Sequence, residues 1–182
     1  MKPNSVIFTA MLLTAFSLSS AQLKQFVSDK KESSIEYKLT HPLHEIESTS
    51  KEAYCSINAD IAKKEIKQVV VKVDVTTFNS GNSNRDSHAM EVIDALSYPE
   101  ANFNSTSISR QGDSLKVYGK LFFHGVTKDI TISAAAVWGE KKLTINGKFS
   151  ISLTAFKVER PSLLLIPVKD NLDFSVVENF NL

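Results

Sequence analysis

The side chains with the widest chemical range in this sequence are four histidines, His41, His44, His88 and His124. Imidazoles hold zinc when three or four ligands converge, commonly with a carboxylate behind the ring. The spacing carries no such motif: His41 and His44 bracket "PL", His88 ends "NRDSH", and His124 sits in "FHGV". No metal is expected. Serine hydrolysis would need a nucleophile on a strained elbow, and no G-x-S-x-G occurs among the many serines. The chain therefore offers no catalytic residues and no cofactor site, and it is not expected to be an enzyme. Cys55 is the single cysteine; it can make no internal disulfide and is expected as a buried, inert thiol.

Two constellations have a sharper meaning. In "NRDSH", Asn84 is placed to cap a helix, with Asp86 in the first turn, where a carboxylate meets free backbone N–H groups. Arg85 and His88 then have two readings. Either they clasp the helix to a strand end, or they stand at a cavity mouth and face a phosphate or carboxylate, which arginine binds by charge-assisted bonds. His41 and His124 divide the same way, into groups that satisfy a turn or members of a polar rim. In "FHGV", Gly125 permits a tight reversal and His124 is expected to hydrogen-bond the turn or that rim.

The elements that must position these groups are strands. Period-two alternation runs through Ile35, Tyr37 and Leu39; Ala53, Cys55 and Ile57; and Val69, Val71, Val73 and Val75. It resumes in Leu115, Val117, Gly119, Leu121 and Phe123, then in Ile130, Ile132, Ala134, Ala136 and Trp138. Leu143, Ile145, Gly147, Phe149, Ile151 and Leu153 follow, and Leu172, Phe174 and Val176 come last. Side chains two apart share one face of a strand, so each run has an apolar side. Turn formers separate the runs at "QGD", "GE" and "KDN". One helical stretch interrupts them: "NRDSHAMEVIDALSYP" places Met90, Ile93 and Leu96 on one side and ends at Pro99. Seven or eight antiparallel strands with one inserted helix suggest a closed barrel, with a sandwich as the rival, because closure removes exposed edges. About eight strands enclose either packed side chains or one small ligand.

Residues 1–21 read as a secretory signal peptide: one lysine, an apolar run over 6–18, and small residues before a cut after Ala21. The run is too short and interrupted for a membrane span. A mature chain of residues 22–182 is expected as one domain, periplasmic or secreted, with no integral membrane segment. Lys and Arg number 21 against 20 Asp and Glu, and losing Lys2 leaves the charges balanced. A neutral chain lacks the basic footprint that nucleic acid requires, so no nucleic-acid partner is expected.

Three segments together resemble the YceI-like family, whose members include bacterial periplasmic polyisoprenoid-binding proteins. They are "IEYKLTHPLHEIES", "FNSGNSNRDSHAMEVIDALSYPEANFNSTSI" and "LKVYGKLFFHGVTKDITI", which keep the family's order over nearly the whole of residues 22–182. The ending "ERPSLLLIPVKD" departs from the family's usual pattern. The resemblance implies an all-β, lipocalin-like antiparallel barrel with a helix over one side, enclosing an apolar tunnel for an isoprenoid or fatty amphiphile. The expected polar mouth is His41, Arg85, His88 and His124; the expected apolar wall is Leu121, Phe123, Ala134, Trp138, Gly147 and Phe149. Gly119, Ala134, Ala136 and Gly147 are compatible with room for such a tunnel, and the two glycines, inside strands, either ease sheet bending or leave interior space. The alternative is a filled barrel that binds a macromolecular or stress-related partner through its surface.

Overall fold

Alternating apolar residues build the strands of this computed structural model, which describes residues 22–182. Ten strands form one antiparallel sheet. They are β1 (Leu23–Val27), β2 (Ser34–His41), β3 (His44–Ser50), β4 (Tyr54–Asp60), β5 (Glu65–Asp74), β6 (Glu100–Gln111), β7 (Ser114–Phe123), β8 (Val126–Trp138), β9 (Lys142–Ser152) and β12 (Asn171–Asn181). The remaining two, β10 (Ser162–Leu163) and β11 (Ile166–Pro167), make a separate small hairpin. The sheet order is β1-β4-β5-β6-β7-β8-β9-β12-β2-β3. It curls so that each margin reaches across the opening: Ser28, just past β1, bridges Phe180 of β12, and Thr49 of β3 bridges Asn79, which follows β5.

Ten strands stand in the main sheet where seven or eight were expected and seven alternating runs were visible. The three additions are β1, β3 and β6, whose sequences are short or largely polar and so carry little alternation. The core is built by the inward residues of neighbouring strands. Ile57, Ala59, Ala136, Leu143 and Phe180 are all buried to within 1% of completeness. Cys55 is buried among them, and burial pushes its thiol pKa well up, so it stays neutral.

Among the described residues the single α-helix, α1 (Ser83–Val92), differs from the sequence expectation at both ends. Its cap is Asn82, not Asn84; the Asn82 side chain accepts from the Arg85 N–H at 3.1 Å. It stops at Val92, and Asp94 turns left-handed at φ 44°, well before Pro99. Leu96 consequently lies outside the helix and is 99% exposed, whereas Ile93 packs on the core as expected.

Gly119 also departs from expectation. It does face inward, but a Cβ there would come within 2.5 Å of the Phe103 ring and the Asn104 carbonyl oxygen. The space that the absent side chain leaves is taken by Phe103.

Candidate functional site

A cavity of about 450 Å³ runs inside the curled sheet. That lies in the range of small-molecule sites, about 300–1,000 Å³. Its wall is apolar over most of its extent. Ile35, Tyr37 and Leu39 come from β2; Val69, Val71 and Val73 from β5; and Val117, Leu121 and Phe123 from β7. Ile130, Ile132 and Ala134 of β8, Gly147 and Phe149 of β9, and Phe174 and Val176 of β12 complete it. Phe149 and Phe174 stack in parallel with centroids 4.7 Å apart, and Tyr37 meets Phe174 edge-on. Such aromatic pairs fix the wall's shape as well as its polarity.

Polar groups gather on the side covered by α1. Arg85, Asp86 and His88 line the cavity from the helix, and His41 and His44 line it from the β2–β3 turn. The Asn82 cap starts the helix three residues before Arg85, which puts Arg85 and His88 on one side at helical spacing. Asp86 is engaged, accepting from the Ser80 N–H at 3.1 Å. Among the described residues the Arg85 guanidinium makes no hydrogen bond or ion pair. His88 is exposed, 3.7 Å from the Glu91 carboxylate.

His41 works differently. It is 2% exposed; its Nδ1 accepts from the Leu43 N–H at 3.2 Å, which leaves Nε2–H to donate to the Ile166 carbonyl at 2.9 Å. It thereby clamps the β10–β11 hairpin beside the cavity. That hairpin lies in the "ERPSLLLIPVKD" segment. Its turn residues Leu164 and Leu165 are both left-handed, at φ 52° and 65°, and both exposed.

His124 and Trp138 are not among the residues that line the cavity. His124 and Gly125 form the two-residue β7–β8 turn, with Phe123 paired to Val126 and positive φ at both turn positions. The imidazole Nδ1 is 3.0 Å from the Phe156 carbonyl oxygen, and the ring meets Tyr98 edge-on. Gly125 is required there twice over, since a Cβ would also approach the Tyr98 ring to 2.6 Å. Trp138 packs against the core near the end of β8. The other expected wall residues, Leu121, Phe123, Ala134, Gly147 and Phe149, all line the cavity.

One ionisable lining residue escaped the sequence reading. Glu178 continues the inward alternation of Leu172, Phe174 and Val176 on β12 and is 3% exposed. Burial raises its carboxyl pKa from 4.5 to about 7. The period-two pattern marks its direction, but a carboxylate ends an apolar run when the run is read by hydropathy alone.

Comparison with known proteins agrees with this architecture. The model of the YceI-like domain matches residues 26–179. A UPF0312 protein of Pseudomonas syringae pv. syringae is 27% identical over 188 residues, covering 97% of this chain and 96% of that protein. Protein YceI of Escherichia coli O157:H7 is 30% identical over 100 residues, 50% of this chain and 52% of its own length. Among solved structures, Burkholderia cenocepacia BcnA superposes with a TM-score of 0.76 at 22% identity, covering 84% of this chain and 98% of that one. A polyisoprenoid binding domain from Saccharophagus degradans, implicated in plant cell wall breakdown, gives 0.65 at 10% identity, covering 88% and 99%. At these identities the structures share the fold.

Proposed function

The chain belongs to the YceI-like domain family, and on that premise we propose that it binds an isoprenoid-like or fatty amphiphile without catalysing a reaction. The observation that carries this reading is the apolar cavity of about 450 Å³ with polar side chains concentrated along α1 and the β2–β3 turn. A tail placed against Leu121, Phe123, Ala134, Gly147 and Phe149 leaves water at about 0.8 kcal/mol per CH₂. Arg85, with no partner of its own among the described residues, and His88 beside it are the groups to orient an anionic or polar head. His41 supports them by holding the neighbouring hairpin. The polyisoprenoid binding domain among the fold's relatives supports the ligand class.

The same reading places the protein in the periplasm or outside the cell, with residues 1–21 as a cleaved signal peptide. That segment lies outside the described residues. Among the described residues no helix is long and apolar enough to cross a membrane. A filled barrel acting through its surface would need side chains where the cavity stands.

Native mass spectrometry of protein purified from its own cell envelope, followed by solvent extraction, tests the proposal. A bound long-chain amphiphile is expected. Protein that carries none and takes up no long-chain isoprenoid probe would overturn it.

A further inference from the structure

Glu178 is an anomaly in an apolar wall. Neither of its carboxyl oxygens has a hydrogen-bond partner among the described residues, although the residue is 97% buried. Ser28, just past β1, is 8% exposed and its Oγ is unpartnered too. The Ser28 and Ser33 hydroxyls lie close enough to favour the ionised carboxylate slightly, without completing a hydrogen bond to it. Folded proteins seldom leave buried polar groups unsatisfied, and those that persist call for a water or a ligand.

Position makes the group informative. The β2–β12 register, with Val177 opposite Ser34, brings Glu178 level with Ser33. His41 lies eight residues further along β2, about 26 Å away at roughly 3.3 Å per residue. Glu178 therefore lies at the end of the β2 wall opposite His41, and Ile35, Tyr37 and Leu39 line the cavity between them.

We propose that the Glu178 carboxyl, with the Ser28 hydroxyl behind it, forms a second polar contact at its end of the tunnel, suited to an amphiphile whose buried tail ends in a hydroxyl group. This rests on the amphiphile reading and adds the chemistry of the far terminus. A protonated carboxyl donates its O–H to the ligand oxygen and accepts the ligand O–H on its carbonyl oxygen, so no net charge is buried. An ammonium terminus would bring a second ion into the apolar interior, where desolvation offsets much of the pairing. An anionic terminus would face the carboxyl itself.

The test compares binding of hexadecanoate and ω-hydroxyhexadecanoate to the lipid-stripped full chain by titration calorimetry near neutral pH. Wild type should bind the ω-hydroxy probe roughly five- to tenfold more tightly, as expected for about one net hydrogen bond. Glu178→Met should bind the two probes alike, whatever its affinity for hexadecanoate, while Glu178→Gln, which both donates and accepts, should retain the preference. Equal affinity of wild type for the two probes would overturn the inference and leave the amphiphile reading standing. A preference that survives in Glu178→Met would overturn it as well. Binding of neither probe would overturn both. The wild-type comparison decides even if the methionine variant fails to fold.

Discussion

Glu178 couples the interior of this protein to pH. Its carboxyl pKa is raised from 4.5 to about 7 by burial, so the folded state holds a proton that the unfolded state has already released. The stabilising contribution is fully present below about pH 4.5 and is lost as pH rises through 7. A shift of that size corresponds to about 3 kcal/mol, at roughly 1.4 kcal/mol per unit. Cys55, the neighbouring titratable group, is held neutral by burial and by the Glu178 charge, and adds nothing over this interval. Urea denaturation at about pH 5 and about pH 8 should show wild type losing some 2–3 kcal/mol more than Glu178→Gln. Parallel pH profiles for the two proteins would show that the carboxyl is solvated in the fold.

At the scale of the strands, two inward glycines have opposite meanings. A Cβ on Gly119 of β7 would meet the Asn104 backbone oxygen at 2.5 Å, and backbone cannot step aside. A Cβ on Gly147 of β9 would sit 3.3 Å from Ile132 and 3.7 Å from Val176, and anything longer extends into the cavity. Gly119→Ala should therefore cost about 1–3 kcal/mol of stability while the folded fraction binds amphiphile normally. Gly147→Leu should lower amphiphile uptake out of proportion to any change in Tm. Paired thermal melts and lipid-uptake measurements separate the two; a Gly147→Leu protein with full uptake would remove that glycine from the tunnel wall.

Sequence alone showed the direction of both glycines but not what faces them, because alternation fixes a side chain's face and leaves its neighbour unstated. Seven strands were legible for the same reason. β6 was not, since Phe103 is its only fully buried residue and polar residues fill most of the rest. The helix was placed correctly, but neither of its ends was: the cap is Asn82, not Asn84. Pro99 is the stronger local stop, whereas the chain had already turned at Asp94, at φ 44°. His124 could be assigned to a turn or to a rim from sequence. Only the contact with the Phe156 carbonyl, 32 residues away, shows where it points.

The whole molecule is built from distant pairings. β12 lies between β9 and β2, so Leu172 faces Ile151 on one side and Leu39 on the other. Loop closure over such separations must precede the contacts that reward it, which slows folding. Refolding from urea should fall in the range of milliseconds to seconds. Stopped-flow fluorescence of Trp138, the only tryptophan, follows it directly because that side chain packs on the core. Microsecond refolding would mean that native pairing across the sheet is not rate-limiting.

The place of β12 also governs what a ribosome can leave half-made. Nine strands of the main sheet precede it in the chain, and β2 waits for its neighbour until more than a hundred further residues have been added. Until then, β2 and β9 each present an unpaired strand edge, the kind of edge that recruits other chains. Interrupted translation thus yields no working smaller version of this protein, only a sheet with its seam open. Such fragments would be substrates for proteases and holdase chaperones, and the cell's quality control can recognise an unfinished copy by that open seam.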